Sequence, residues 1–483
     1  MRMTGNCNPL KEGARMEEVS AKSEQRRQFM LEGNLLKVIC SIAIPMVVTM
    51  LIDSLYNMAD AFYVSRIGDA AIAAVGVNDS LMMILRAVSM GFGMGSSSFI
   101  SRALGAKRDE DASRAAVTTL FTAMGTLTVL TILGSVFLLP LVNFLGATDT
   151  VRPYSLQYAR WILIAAPVTA ADTVISQMLR AEGSSIYSMI GMTSGCLINC
   201  ILDPIFIYVL GLGVAGAAIA TDISKVVSLF ILLLPFFRHK CVIVLKPSYF
   251  TPTREIYAEL ARMGLPTMLR TSMMSISTIL INNTAASFSD AAMASISVAN
   301  KSLRLVASAI MGFSQGFQPV AGYSFGARRY GRVMQALRYT LGIGAASGLV
   351  LGGLMGIFAP QVISIFSTHP EVQKLGLILI RTQCITMIPH VWTMIASGFF
   401  QALGKAMKAG ILGLSRQLLV LIPCVLILPR LFGVTGLACA QAAADGVSFL
   451  IATCMTIPTI RELMALQRAE TEARAAVEGE THA

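Results

Sequence analysis

Apolar positions along the chain gather into twelve long runs, with polar residues collected between them. The runs fall near 35–64, 72–101, 115–145, 154–180, 185–211 and 213–237. After the basic stretch "RHKCVIVLKPSYFTPTREIYAEL", six more fall near 257–288, 291–321, 335–366, 371–400, 406–431 and 434–460. Most exceed the roughly 20 residues that a membrane-spanning helix needs, and they are far longer than the strands of a spanning β-barrel. The pattern predicts an all-α integral membrane protein with tilted or bent helices. Pro45, Pro167, Pro266, Pro319, Pro389 and Pro423 lie inside runs, and each removes a helix hydrogen bond where a bend can form.

The two sets of six runs match. A shift of 221 carries Pro45 onto Pro266, "DAA" at 69–71 onto 290–292, and Gly91 and Gly95 onto Gly312 and Gly316. It also carries "GAKR" at 105–108 onto "GARR" at 326–329, and "RAEG" at 180–183 onto "QALG" at 401–404. A shift of 220 carries "GVAG" at 213–216 onto "GVTG" at 433–436. One nearly constant offset is an internal duplication. Because six is even, both copies enter the membrane from the same side, which makes a parallel repeat of the kind transporters build around a central cavity. The expected organisation is a polar tail at 1–33, a first lobe at 34–240, a basic connector at 241–256, a second lobe at 257–460 and a tail at 461–483.

Composition agrees with the pattern. Of 483 residues, 55% are hydrophobic and 13% charged, about half the charged share of a soluble chain. The net charge of +11 could suggest nucleic acid, but the basic residues sit in short gaps between runs. Alternate gaps hold 17 Lys and Arg against four in the opposite set, which predicts that the first set and both termini are cytoplasmic. No cleavable signal peptide is read in 1–33. Nine cysteines without a CxxC pair read as small buried hydrophobes, and no metal site is expected at Cys196 and Cys200. Four histidines without HExxH, and no GxxxxGK[ST] loop, argue against an enzyme or an ATP-driven pump. No cofactor is expected.

Polar groups inside the runs carry the candidate chemistry. Asp60 lies eight residues before Gly68, Asp203 eight before Gly211, and Thr221 eight after Gly213. At 1.5 Å per residue each sits about 12 Å below the outer surface, in one layer. Asn199 precedes Asp203 by four residues, so both project from one helix face. An isolated carboxylate at that depth is costly and takes up a proton or a cation, and two facing one pocket favour this further. The alternative is that Asp203 only satisfies backbone freed by Pro204. A weaker set of cavity candidates comprises Asp53, Asn57, Asn282, Lys301, Arg304, Gln315 and Gln318. Asp222 and Lys225, three apart, are expected to pair with each other.

Several motifs in order give a resemblance over about residues 34–460: "YNMADAFYVSRIGDAAIAAVG" at 56–76, "SRALGAKR" at 101–108, "RAEGSS" at 180–185, "NCILDPIFI" at 199–207, "GAAIAT" at 216–221, "QGFQPVAGYSFGARR" at 315–329 and "QALGKA" at 401–406. Together they resemble the multidrug and toxic compound extrusion (MATE) transporters, bacterial branch. The resemblance implies twelve helices in two lobes around a cavity, and export of cationic or amphipathic compounds in exchange for inward H⁺ or Na⁺ at the bacterial inner membrane. It also implies a coupling-ion site of Asp60, Asn199, Asp203 and Thr221 with the Ala217 carbonyl, and a working monomer. The acidic residues some relatives carry in helices 7 and 10 are missing here, where His390 stands instead. A flippase for a lipid-linked saccharide is the alternative, kept open by Lys301 and Arg304. The major-facilitator loop pattern GxxxDRxGRR is absent from "SRALGAKRDEDASR".

Overall fold

A computed structural model describes residues 24–366 and 369–481. Every regular element among them is helical, as a lipid setting demands, because only a helix pairs its backbone groups within one segment. The amino-terminal lobe comprises α1 (Leu35–Ser65), α2 (Asp69–Gly105), α3 (Asp109–Val136), α4 (Arg152–Ala181), α5 (Ser185–Pro204) and α6 (Gly213–Phe237). The carboxy-terminal lobe comprises α7 (Arg254–Ala286), α8 (Asp290–Gly326), α9 (Tyr330–Ile357), α10 (Pro370–Ile385 and Met387–Ala402), α11 (from Ala406) and α12 (to Thr481). The two last helices are continuous except for a turn at Gly433. Among the described residues eight helices are long and apolar enough to cross a membrane, or nine with the bent α10. One of these units, Ala406–Glu472, turns at Gly433 and supplies two spans, whereas α7 and α8 are long but more polar. The outcome is the twelve-helix, two-lobe arrangement that the repeat predicts.

The duplication is visible in the backbone. Lys107 and Arg328, 221 apart, both adopt positive φ, at 60° and 59°. Gly183 and Gly404 do so at 86° and 71°, and Gly213 and Gly433 at 55° and 60°. Each lobe therefore makes its turns the same way. Local signals set the helix starts: Asn34 caps α1 through the amides of Leu36 and Lys37, and Ser289 caps α8 through Ala292.

Proline marks breaks unevenly. α1, α4, α7 and α8 continue through Pro45, Pro167, Pro266 and Pro319. α10 instead bends by 52° at Thr386, one turn before His390. α5 passes at Pro204 into a π segment, Ile205–Val209, and α11 contains another, Ser415–Leu421. π segments widen the helix and recur at functional sites. One GxSxG spacing does occur in the chain, at Gly312–Gly316, but it falls inside α8, not at the strand-to-helix turn a hydrolase nucleophile requires.

The lobes meet where α2 crosses α7 and α1 crosses α8, two crossings related by the repeat, and where α2 crosses α8. A Cβ on Gly264 would stand 2.6 Å from the Gly91 carbonyl oxygen, and one on Gly316 would stand 2.7 Å from Ala43 N. Further contacts collect at the same end of the bundle, which carries the basic loops. Arg102 pairs with Glu259 there, and Ser98 donates to the Gln401 carbonyl at 2.5 Å. The helix at 24–32 adds a strap: Arg26 binds Glu182 at 3.0 Å, while Arg332 donates to the carbonyls of Met30 and Gly33 at 3.0 and 2.7 Å. Glu182, fully buried, also accepts from the amides of Val242 and Ile243, which fixes the connector. Burial and the neighbouring Glu182 push the Cys241 thiol well above its usual range. The bundle is closed at this basic end.

Candidate functional site

α1 packs along α5, and α5 along α6, so their polar side chains converge as the depth argument predicts. Asp203 is fully buried, Asn199 is 1% exposed, and Asp60 is half-buried. Asn199 Nδ2 donates to Thr221 Oγ1 at 3.2 Å. The carboxylates of Asp60 and Asp203 lie within electrostatic range of each other. Ala217 is buried one turn before Thr221. The break after Asp203 follows from Pro204, which has no N–H to donate, and the widened π turn that follows ends with Tyr208 Oη donating to the Tyr63 carbonyl at 2.6 Å. That bond ties the end of α5 to the end of α1 above the site.

The decisive feature is what these oxygens lack. Asp60 Oδ1, Asn199 Oδ1 and both Asp203 carboxylate oxygens are buried without a hydrogen-bond partner among the described residues. Buried acceptors are ordinarily satisfied, and an unsatisfied carboxylate is the most costly kind. All the leftover atoms here are acceptors, so what completes them is a hydrogen-bond donor or a cation. Hard oxygens in this number suit a proton or a small monovalent cation. No group of three or more His, Cys, Asp and Glu residues suited to a metal occurs among the described residues.

The weaker candidates divide. Asp53, half-buried, lies within range of Lys225 and Cys196, beside the site rather than in it. Asn57 donates back to the Asp53 carbonyl at 2.5 Å. Gln318 bonds Gln401 at 3.2 Å and packs against Gly398, between helices of one lobe. Gln315 is buried and Asn282 half-buried. Lys301 and Arg304 are exposed, and Arg304 lies within range of Asp79 on α2.

One expected pair is corrected. Lys225 does not bind Asp222; it reaches across to Asp172 on α4 at 3.4 Å, and Ser228 donates to the same carboxylate at 2.6 Å. Asp172 is 1% exposed. A pair on one helix leaves both groups facing the same way, whereas the α4–α6 contact lets Lys225 neutralise a fully buried acid. Asp172→Asn should therefore lower stability by about 1.5–3 kcal/mol, the worth of a hydrogen bond to a charged group, because Lys225 is itself part-exposed. Adding Lys225→Met should recover part of that loss. Thermal unfolding in detergent measures both, and equal melting temperatures for Asp172→Asn and the wild type would contradict the assignment.

Three further residues escaped the sequence reading. Tyr56, one turn before Asp60, lies within range of both carboxylates, as does the buried Tyr158. Its i,i+4 spacing from Asp60 was the available signal. Asp79 on α2 also acts on Asp60.

Known proteins share this architecture. A family model described as MatE matches residues 45–205 and 266–427, the corresponding stretches of the two lobes. Multidrug export protein MepA of Staphylococcus saprophyticus is 26% identical over 455 residues, covering 93% of this chain and 99% of that protein. Its namesake in Staphylococcus aureus strain NCTC 8325 is 25% identical over 458 residues, with the same coverages. The solved outward-facing structure of a multidrug resistance MATE family transporter of the MOP superfamily is 29% identical, with a TM-score of 0.84 over 90% of this chain and 98% of that one.

Proposed function

Because the chain belongs to the MatE family, we propose that it is a multidrug efflux antiporter exporting cationic or amphipathic organic compounds in exchange for inward H⁺ or Na⁺. One observation carries the coupling: four buried acceptor oxygens on α1 and α5, three of them from two carboxylates within electrostatic range of each other, have no donor among the described residues. A cation or proton binding there supplies the missing positive charge. Asp60, Asn199, Asp203 and Thr221, with the Ala217 carbonyl, form its site.

The charge asymmetry of the loops supports a cytoplasmic position for the basic end and for both termini, in the bacterial cytoplasmic membrane. Two of the 17 basic residues, Arg180 and Arg416, lie inside the bundle, and the remaining 15 against four keep the asymmetry. With the basic end closed, this is the state that opens outward. An ion entering from outside binds Asp60 and Asp203 and displaces a cationic substrate held by the same charge. The loaded protein then opens inward, releases the ion and accepts new cargo. Exchange follows because each ligand prefers the state the other leaves. The monomer is the working unit.

The MepA relatives favour this reading over lipid-linked sugar transport. Its test is dye movement in proteoliposomes under an imposed Na⁺ or pH gradient. Accumulation against the dye's own gradient is expected with one of the two ions, and equilibration that ignores both would refute coupling.

A further inference from the structure

The carboxy-terminal lobe holds a second buried ionic cluster of opposite sense. Asp445 on α12, 6% exposed, accepts at Oδ1 from Arg416 Nε on α11 at 2.6 Å and from His390 Nδ1 on α10 at 3.0 Å. Asp445 is the repeat mate of Lys225, 220 residues on. Each lobe therefore ties its fourth helix to its sixth by an ionic contact, with the charges exchanged: acid on α4 and base on α6, base on α10 and acid on α12. Because Arg416 supplies Asp445 with a tethered cation, that carboxylate has no need of an exchangeable one.

Arg270 on α7 is the unbalanced member. Its stem lies against α11, where a Cβ on Gly413 would stand 2.9 Å from Arg270 Cδ, and Arg416 is within electrostatic range. Among the described residues Arg270 forms no ion pair or hydrogen bond, and its Nε is buried without an acceptor. Trp392 Nε1 is a second buried donor without a partner, on the α10 face whose indole packs at a tilt against Phe449 of α12. Of the two guanidinium groups only Arg416 has a carboxylate partner, so the charge of Arg270 stands uncompensated inside the membrane. The amino-terminal lobe is short of a cation, and this lobe is short of an anion.

We propose that Arg270, backed by Arg416, is the carboxylate-binding subsite of the carboxy-terminal lobe, so that zwitterionic substrates carry their anionic end there. A planar guanidinium with unused donors matches a carboxylate in two parallel hydrogen bonds, which a neutral or purely cationic compound cannot make. The proposal rests on the export reading for its substrate, but the site itself can be tested alone.

The test compares rhodamine 123, a cationic methyl ester, with rhodamine 110, the corresponding free acid, by fluorescence polarisation on the purified protein. Arg270→Gln should weaken rhodamine 110 binding at least about tenfold, the value of a charge-assisted hydrogen bond, and rhodamine 123 by no more than about twofold. Arg270→Lys, which keeps the charge, should retain most of the preference. Equal losses for both dyes, or no loss for rhodamine 110, would overturn the proposal. A second arm separates it from the export reading: in titration calorimetry on the purified protein, butyrate should give a saturable binding response and butyramide should not, and Arg270→Gln should abolish the response. If neither dye binds the wild type, the export reading fails while a butyrate response that needs Arg270 upholds the subsite. Absence of that response overturns it.

Discussion

Asp203→Asn should abolish ion-driven efflux while leaving the protein folded and inserted. The carboxylate is fully buried with both oxygens unpartnered, so in the present arrangement it gives no other side chain a bond to lose. An amide of the same shape removes the charge that a cation or proton needs, and one hydrogen bond to a charged group is worth about 1.5–3 kcal/mol, or roughly tenfold to a hundredfold in ion affinity. Asp60→Asn should act in the same direction, since its carboxylate lies within electrostatic range of Asp203. The pair should not be additive, because two groups sharing one ligand lose it together. Dye efflux from proteoliposomes under the active ion gradient measures this. Undiminished efflux from Asp203→Asn would remove that residue from the coupling site.

Gly316→Ala should open the basic end of the bundle. Its added methyl would stand 2.5 Å from Ala43 Cα, and the atom it meets is backbone that cannot rotate away. Overpacking of this kind costs about 1–3 kcal/mol, charged only to the state in which α1 and α8 touch. A shift of that size moves a two-state equilibrium by roughly five- to 150-fold toward the state in which they part. Spin labels at Arg114 and Arg338, exposed on α3 and α9, should report a longer separation than in the parent, in a background lacking the nine native cysteines. Gly342→Ala supplies the contrast. Nothing lies within 4 Å of a Cβ there, so the distance should not change and the helix should gain up to about 1 kcal/mol. Equal distances in Gly316→Ala and the parent would mean that this crossing does not control closure.

Depth and period were readable from the chain, whereas partnership between helices was not. Counting eight residues from Gly68, Gly211 and Gly213 put Asp60, Asp203 and Thr221 at one level, because helix rise is nearly constant. The repeated "GAKR" and "GARR" turns were readable for a similar reason, since the same residues impose the same backbone at Lys107 and Arg328. Lys225 shows where such reading stops. Asp222 is nearer in sequence, but only the packing of α4 on α6 brings Asp172 to it. Arg416 was counted with loop charges, because nothing in its neighbourhood announces that Asp445, 29 residues on, will draw it into the bundle. Proline shows the same limit: α1 carries Pro45 without a break, whereas the bend in α10 falls at Thr386, just before Pro389. Whether a missing hydrogen bond becomes a break depends on what the neighbouring helices press against it.

The central claim is that exported cargo and coupling ion compete for one negatively charged pocket. Equilibrium binding of rhodamine 123 to purified protein tests it directly, with Na⁺ or acid as titrant. The account predicts that one of these displaces the dye from the wild type, and that displacement is lost in the Asp60→Asn, Asp203→Asn double variant. Dye affinity that is indifferent to both titrants, or displacement that survives removal of both carboxylates, would contradict it.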